Sequence, residues 1–141
     1  MTQALVVDDD PGIRQLLTYA LSMEGYSVET LADGREVVER LRAAESRVVV
    51  LMDVMMPYMD GLTVCARLAE EPELLTRHAV ILMSAAFTPG APAPFGVRGT
   101  LPKPFRLERA LALLERFAAE PPALVAADSD AEFVGALAPQ G

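Results

Sequence analysis

A single cysteine, a single histidine and a single lysine are spread through the 141 residues, and basic side chains are outnumbered by acidic ones, twelve to twenty. The lone Cys65 leaves no partner for a disulfide and no thiolate cluster for a soft metal, which fits a reducing, cytoplasmic setting. A formal net charge of −8 has the wrong sign for broad attraction to nucleic acid or anionic lipid, so neither direct nucleic-acid binding nor a membrane surface is expected. The N-terminal residues Met1 to Leu5 lack the basic segment of a signal peptide and run at once into Asp8, Asp9 and Asp10. Residues 79–97 carry no charge but include Pro89, Gly90, Pro92, Pro94 and Gly96, which would break a membrane helix.

Against these absences stand 52% hydrophobic and 23% charged residues, a balance that supports one packed domain without staples. The pattern changes at residue 120: EPPALVAADSDAEFVGALAPQG has four acidic and no basic residues. The expected organisation is therefore a folded domain over residues 1–119 and an acidic, flexible tail over residues 120–141.

Within the domain, three short apolar β-branched runs, Leu5 to Val7, Val48 to Met52 and Ala79 to Met83, read as buried strands and end at Asp8, Asp53 and Ser84. Ser27 to Thr30 and Gly99 to Leu101 are weaker segments that suit sheet edges. Helical spacing links Ile13, Leu16, Leu17, Ala20 and Leu21 behind Asp10-Pro11, which supply an N-cap and a first-turn residue, and Gly25 closes that helix. Further helices carry Val37, Val38 and Leu41 after Asp33-Gly34; Leu62, Cys65, Ala66 and Ala69 before Pro72; and Leu107, Ala110, Leu111 and Leu114 between about 105 and 118. The proline-rich stretch from Phe87 to Val97 predicts an irregular or shortened helix between the fourth and fifth strands. Strands alternating with helices imply an α/β fold, a doubly wound five-stranded parallel sheet whose ligand crevice lies beyond the carboxyl ends of the strands.

Asp8, Asp9, Asp53, Ser84 and Lys103 all fall at that crevice. Three carboxylates at one mouth repel one another unless a cation joins them, and oxygen ligands without His or Cys suit Mg²⁺. With Asp9 and Asp53 at the metal, the other oxygen of Asp53 is placed to attack a phosphoryl donor while the Lys103 ammonium neutralises the transferred oxygens. Lys103 stands alone among eleven arginines, consistent with a site that needs a point charge on a flexible stem. Ser84 is placed to bond a phosphoryl oxygen. His78 lies at the opposite end of the fourth strand, where a surface role is expected, Asp60-Gly61 reads as a turn and helix start, and Met52, Met55, Met56 and Met59 read as packing residues.

These residues resemble the response-regulator receiver domain, the phosphoacceptor module of two-component signalling. The resemblance covers about residues 3 to 118 and rests on LVVDDDPGIR at 5–14, VLMDVMMPYMDG at 50–61, MSA at 83–85 and LPKPF at 101–105, in the family's order and spacing. It implies strand order 2-1-3-4-5, phosphorylation of Asp53 by a histidine kinase or phosphotransfer protein, and a Mg²⁺ pocket of Asp8, Asp9 and Asp53 completed by the Met55 backbone carbonyl. It also implies phosphoryl contacts from Ser84 and Lys103 and a cis Lys103-Pro104 bond. The family's aromatic position three residues before the lysine holds Thr100, which argues against aromatic switching. With only the acidic tail after the match, output by phosphorylation-dependent contact with a downstream protein is expected. The apolar side chains of Met55 and Ala86 cannot position an attacking water, so the acyl phosphate is expected to be long-lived. Two alternatives share the fold: a pseudo-receiver that binds partners unphosphorylated, and a Mg²⁺-dependent phosphatase with an aspartate nucleophile. The phosphatase needs a second Asp two positions after the nucleophile, where this chain has Met55.

Overall fold

The computed structural model describes residues 2–85 and 96–119. Among the described residues ten elements follow one another: β1 (Gln3–Val7), α1 (Pro11–Met23), β2 (Ser27–Leu31), α2 (Val37–Ala43), β3 (Val48–Asp53), α3 (Gly61–Ala69), α4 (Pro72–Arg77), β4 (Ala79–Ser84), β5 (Gly99–Pro102) and α5 (Leu107–Ala118). The five strands form one parallel sheet in the order β2-β1-β3-β4-β5, the doubly wound arrangement.

Side-chain alternation along the strands sorts the core into two layers. From β3, Val48, Val50 and Met52 face α2 and α3, where they meet Val37, Leu41, Val64 and Leu68. Val49 and Leu51 face the other way and pack with Leu17 and Leu21 of α1 and with Ala110, Leu114 and Phe117 of α5. Every residue of β3 and β4 is buried, whereas β2 is largely exposed, as the edge position of its half-polar sequence requires.

Local chemistry sets most helix ends. Asp10 caps α1 by accepting from the Gly12 N–H at 2.8 Å, and Asp60 caps α3 by accepting from the Thr63 N–H at 2.8 Å. Gly25, at φ +92°, follows the end of α1 in the left-handed conformation that glycine adopts without strain.

Several expectations need correction. Helix α2 begins at Val37, because Asp33 instead closes a turn by accepting from the Arg35 N–H at 2.9 Å. Helix α3 buries Gly61, Val64, Cys65 and Leu68, while Leu62 is 48% exposed and Ala66 and Ala69 face out. The phase of that helix is set by its start against the end of β3, where the Gly61 N–H bonds the Val54 carbonyl. On α1, Leu16 is likewise 49% exposed. Helix α3 ends at Ala69, before Pro72 as expected, but Pro72 then opens the short α4, which the spacing did not predict.

His78 is a buried residue, not a surface one. Its Nδ1 accepts from the Val48 N–H at 3.0 Å and its Nε2 lies 3.0 Å from the Leu41 carbonyl, so the ring ties the start of β3 to α2. Because Nδ1 accepts, the proton sits on Nε2 and the ring is neutral. Cys65 is buried as expected, and burial pushes its thiol up to about 11. The expected irregular helix after β4 and the acidic tail fall outside the described residues, apart from Gly96 and Val97.

Candidate metal centre

The parallel sheet carries β1, β3, β4 and β5 to a common edge, so residues far apart in sequence arrive at one place. Asp8 immediately follows β1, Asp53 is the last residue of β3, Ser84 the last of β4, and Lys103 follows β5. The register aligns Asp53 with Met83 and Ser84 with Pro102. The Lys103 N–H donates to the Ser84 carbonyl at 3.0 Å, extending the β4–β5 pairing to the lysine itself. The Lys103-Pro104 peptide is cis.

Asp8 is fully buried and Asp53 is 6% exposed, whereas Asp9 is exposed. Carboxylate oxygens of the three lie within 4.8 Å of one another. Asp8 is engaged at both oxygens: Oδ1 accepts from the Asp10 N–H at 2.9 Å and Oδ2 from Lys103 Nζ at 2.8 Å. The same ammonium lies 3.4 Å from Asp53 Oδ1. Arg14 adds a bond from its guanidinium to the Asp8 carbonyl at 2.6 Å, a support that spacing gave no reason to single out.

Burial, then the charge of Asp8, holds the Asp53 carboxyl above its ordinary range, with Lys103 pulling the other way. Burial opposes the charge on Lys103, but its hydrogen bond to Asp8 and the charges of Asp8 and Asp53 outweigh that and keep its pKa raised. One ammonium therefore does not fully compensate the acidic cluster. Its hard oxygen donors, with Cys65 and His78 packed elsewhere, fit a divalent cation such as Mg²⁺.

The loop from Asp53 to α3 is held by close backbone approach. The Gly61 N–H donates to the Val54 carbonyl at 2.9 Å, and a Cβ at Gly61 would stand 2.6 Å from the Asp53 carbonyl oxygen. Gly34 docks on the same loop: its N–H donates to the Met59 carbonyl at 3.0 Å, and a Cβ there would meet Val64 Cγ2 at 2.4 Å. Sequence spacing marked both glycines as helix-start residues but not as packing constraints. Met55 follows Asp53 by two residues, with its side chain 70% exposed.

The comparisons with known proteins agree with this geometry. The family profile described as response regulator receiver domain matches residues 4–115. The chain is similar to the response regulator MprA of Mycolicibacterium vanbaalenii, 42% identical over 108 residues that make up 77% of this chain and 46% of that protein. MprA of Mycobacterium avium is 39% identical over 108 residues, 77% of this chain and 47% of its own. The chain thus spans about half the length of these relatives. Among solved structures, the chemotaxis protein CheY4 of Vibrio cholerae superposes with a TM-score of 0.69 at 30% identity, covering 83% of this chain and 98% of that one. TrrA of Thermotoga maritima, a response regulator solved in complex with Mg²⁺ and BeF, gives 0.70 at 25% identity, covering 83% and 99%. With a family match over most of its length, the two-layered 2-1-3-4-5 sheet and the acidic cluster at the sheet's carboxyl edge, the chain belongs to the response regulator receiver domains of two-component systems.

Proposed function

We propose that the chain is a phosphoacceptor that takes a phosphoryl group on Asp53 from a histidine kinase or phosphotransfer protein and passes the signal by contact with a downstream protein. The observation that carries this reading is the meeting of Asp8, Asp9 and Asp53 within 4.8 Å, with Lys103 Nζ 2.8 Å from Asp8 and 3.4 Å from Asp53. Asp9 and Asp53 would hold Mg²⁺ with the Met55 carbonyl, and Asp8, whose oxygens already serve Asp10 and Lys103, would complete the acidic pocket. When bound, the dication supplies positive charge where the transferred phosphoryl oxygens gather.

An Asp53 carboxylate oxygen attacks the phosphorus of a phosphohistidine; the new O–P bond forms as the P–N bond breaks, and the departing imidazole nitrogen keeps the electron pair and takes up a proton. Lys103, fixed by Asp8, stands beside the attacking carboxylate and offers its ammonium to the transferred oxygens. Ser84, buried at the end of β4, is assigned the hydroxyl contact to the phosphoryl group. Mutual repulsion of the three carboxylates makes the pocket sensitive to the charge it holds, and the added phosphoryl group shifts the population toward a state with altered partner affinity.

Residues 1–119 form the receiver and residues 120–141 an acidic appendage in this reading. A cytoplasmic site of action follows from a kinase partner; among the described residues no helix is long and apolar enough to cross a membrane. Incubation with a small acyl-phosphate donor and Mg²⁺, read by intact mass, tests the proposal: the wild type gains one phosphoryl group and Asp53→Asn gains none. Equal labelling of both, or no labelling of either, contradicts it.

A further inference from the structure

The loop that joins Asp53 to α3 contains the backbone's one non-glycine residue of positive φ among the described residues, Tyr58 at +67°. The Met59 N–H donates to the Pro57 carbonyl at 2.7 Å, closing a three-residue turn around Tyr58 in the rarer, strained hand of the γ-turn. A bulky side chain in this region is costly unless its surroundings hold it there. Tyr58 is nevertheless 80% exposed, so packing into the core does not hold it.

The holding contact comes from the β2–α2 loop. The Arg35 guanidinium lies over the Tyr58 ring, 4.1 Å from its centroid. Its orientation is set by Asp33, which accepts from Arg35 Nε at 3.0 Å and from Nη2 at 2.9 Å, and also from the Arg35 main-chain N–H. A planar fork gripped on one edge by a carboxylate presents a flat face to an aromatic ring. Gly34, one residue earlier, bonds the Met59 carbonyl next to Tyr58, so two successive residues of one loop grip two successive residues of the other.

We propose that Arg35 is a positioning residue for the Asp53 site: stacked on Tyr58, it clasps the strained 54–60 loop and so places the Met55 carbonyl for the metal. The inference rests on the Mg²⁺ reading above. The clasp is exposed and peripheral to the core, so its loss acts on the loop more than on global stability.

The test is calorimetric Mg²⁺ titration of the unphosphorylated protein, with Tm and amide exchange at Met59 and Gly61 recorded for the same samples. Arg35→Ala and Tyr58→Ala each weaken Mg²⁺ binding by about three- to fivefold, the pair together no more than either alone, and Tyr58→Phe retains wild-type affinity because the ring remains. Tm changes by no more than about 2 °C in each, and exchange at Met59 and Gly61 quickens in the two alanine variants. Unchanged Mg²⁺ affinity in Arg35→Ala, losses that multiply in the double variant, or losses that simply follow Tm overturn the proposal. If the wild type binds no Mg²⁺, the underlying metal reading fails, and the metal-directed role of Arg35 is overturned with it. Exchange data then show separately whether the loop clasp exists.

Discussion

Lys103 Nζ donates to Asp8 Oδ2 at 2.8 Å, joining the end of β5 to the end of β1 across 95 residues of sequence. The acceptor is fully buried and the donor only partly so, which makes the lysine the buried carboxylate's principal counter-charge. The same ammonium also reaches toward Asp53, so one side chain serves both stability and the chemistry assigned to the site.

Replacing Lys103 by Met leaves the Asp8 carboxylate without that partner. An expected loss of about 1–3 kcal/mol in unfolding free energy follows, reduced from the fully buried case by the lysine's exposure. In an Asp8→Asn background the same change costs much less, which chemical denaturation of the four proteins of the cycle measures. Phosphoryl uptake falls by about 100-fold or more in Lys103→Met, the scale of losing one preorganised charge donor.

Asp53→Asn removes a carboxyl that burial and Asp8 hold above its ordinary range. A group with a raised folded-state pKa binds more protons folded than unfolded just above its model value of 3.8, so ionising it costs stability as pH rises through the raised value. Metal-free Asp53→Asn is therefore expected to melt higher than wild type at neutral pH, with the difference vanishing in acid. Added Mg²⁺ raises the wild-type Tm but not that of the variant. A lower Tm for metal-free Asp53→Asn at pH 7 would contradict the electrostatic account.

His78 gives the opposite slope. Burial pushes its pKa down to about 4 from 6.5, so between these values the unfolded chain takes up a proton that the folded ring refuses. Stability associated with the neutral ring is present above pH 6.5 and is lost as pH falls toward 4, by on the order of 3 kcal/mol. Protonation of Nδ1 would also turn a donor against the Val48 N–H. His78→Gln should flatten this part of the stability–pH curve, and urea titrations at several pH values resolve it from the Asp53 contribution.

Gly61→Ala forces a Cβ to 2.6 Å from the Asp53 carbonyl oxygen and 3.1 Å from Val54 Cα, both main-chain atoms that cannot swing away. A stability loss of about 1–3 kcal/mol is expected, together with slower phosphoryl uptake, because the displaced atoms are the carbonyl oxygen of Asp53, the proposed phosphoacceptor, and the Cα of the residue that follows it. A variant as stable and as reactive as wild type would show that the loop accommodates the methyl freely.

Met55, two residues after Asp53, carries a thioether with no hydrogen-bond donor to orient a water toward the acyl phosphate proposed on Asp53. Decay of labelled phosphoprotein is expected over minutes or longer, and Met55→Asn, whose amide can orient a water, should shorten it. Decay within seconds in the wild type would remove this explanation.

The strands, the starts of α1 and α3 and the meeting of Asp8, Asp9, Asp53 and Lys103 were legible from residue type and spacing, because apolar runs ending in acidic residues have few other uses in an alternating α/β chain. Asp10 and Asp60 announced their caps because the capping bond is local. The phase of α3 and the delayed start of α2 were not legible, since both depend on neighbours distant in sequence. His78 shows the reason most clearly: an isolated polar residue at a strand start reads as exposed until the fold supplies the Val48 N–H and the Leu41 carbonyl that satisfy both ring nitrogens.

By itself, then, the order of residues brought out the polar side chains that lie at, or just beyond, the carboxyl ends of their strands. The parallel register, set by side-chain packing on both faces of the sheet, decided that Lys103 meets Asp8. Distances across the pocket, the burial that raises the Asp53 pKa, and the stacking of Arg35 on Tyr58 were likewise decided in three dimensions. These are properties of pairs separated along the chain, and no local preference encodes them.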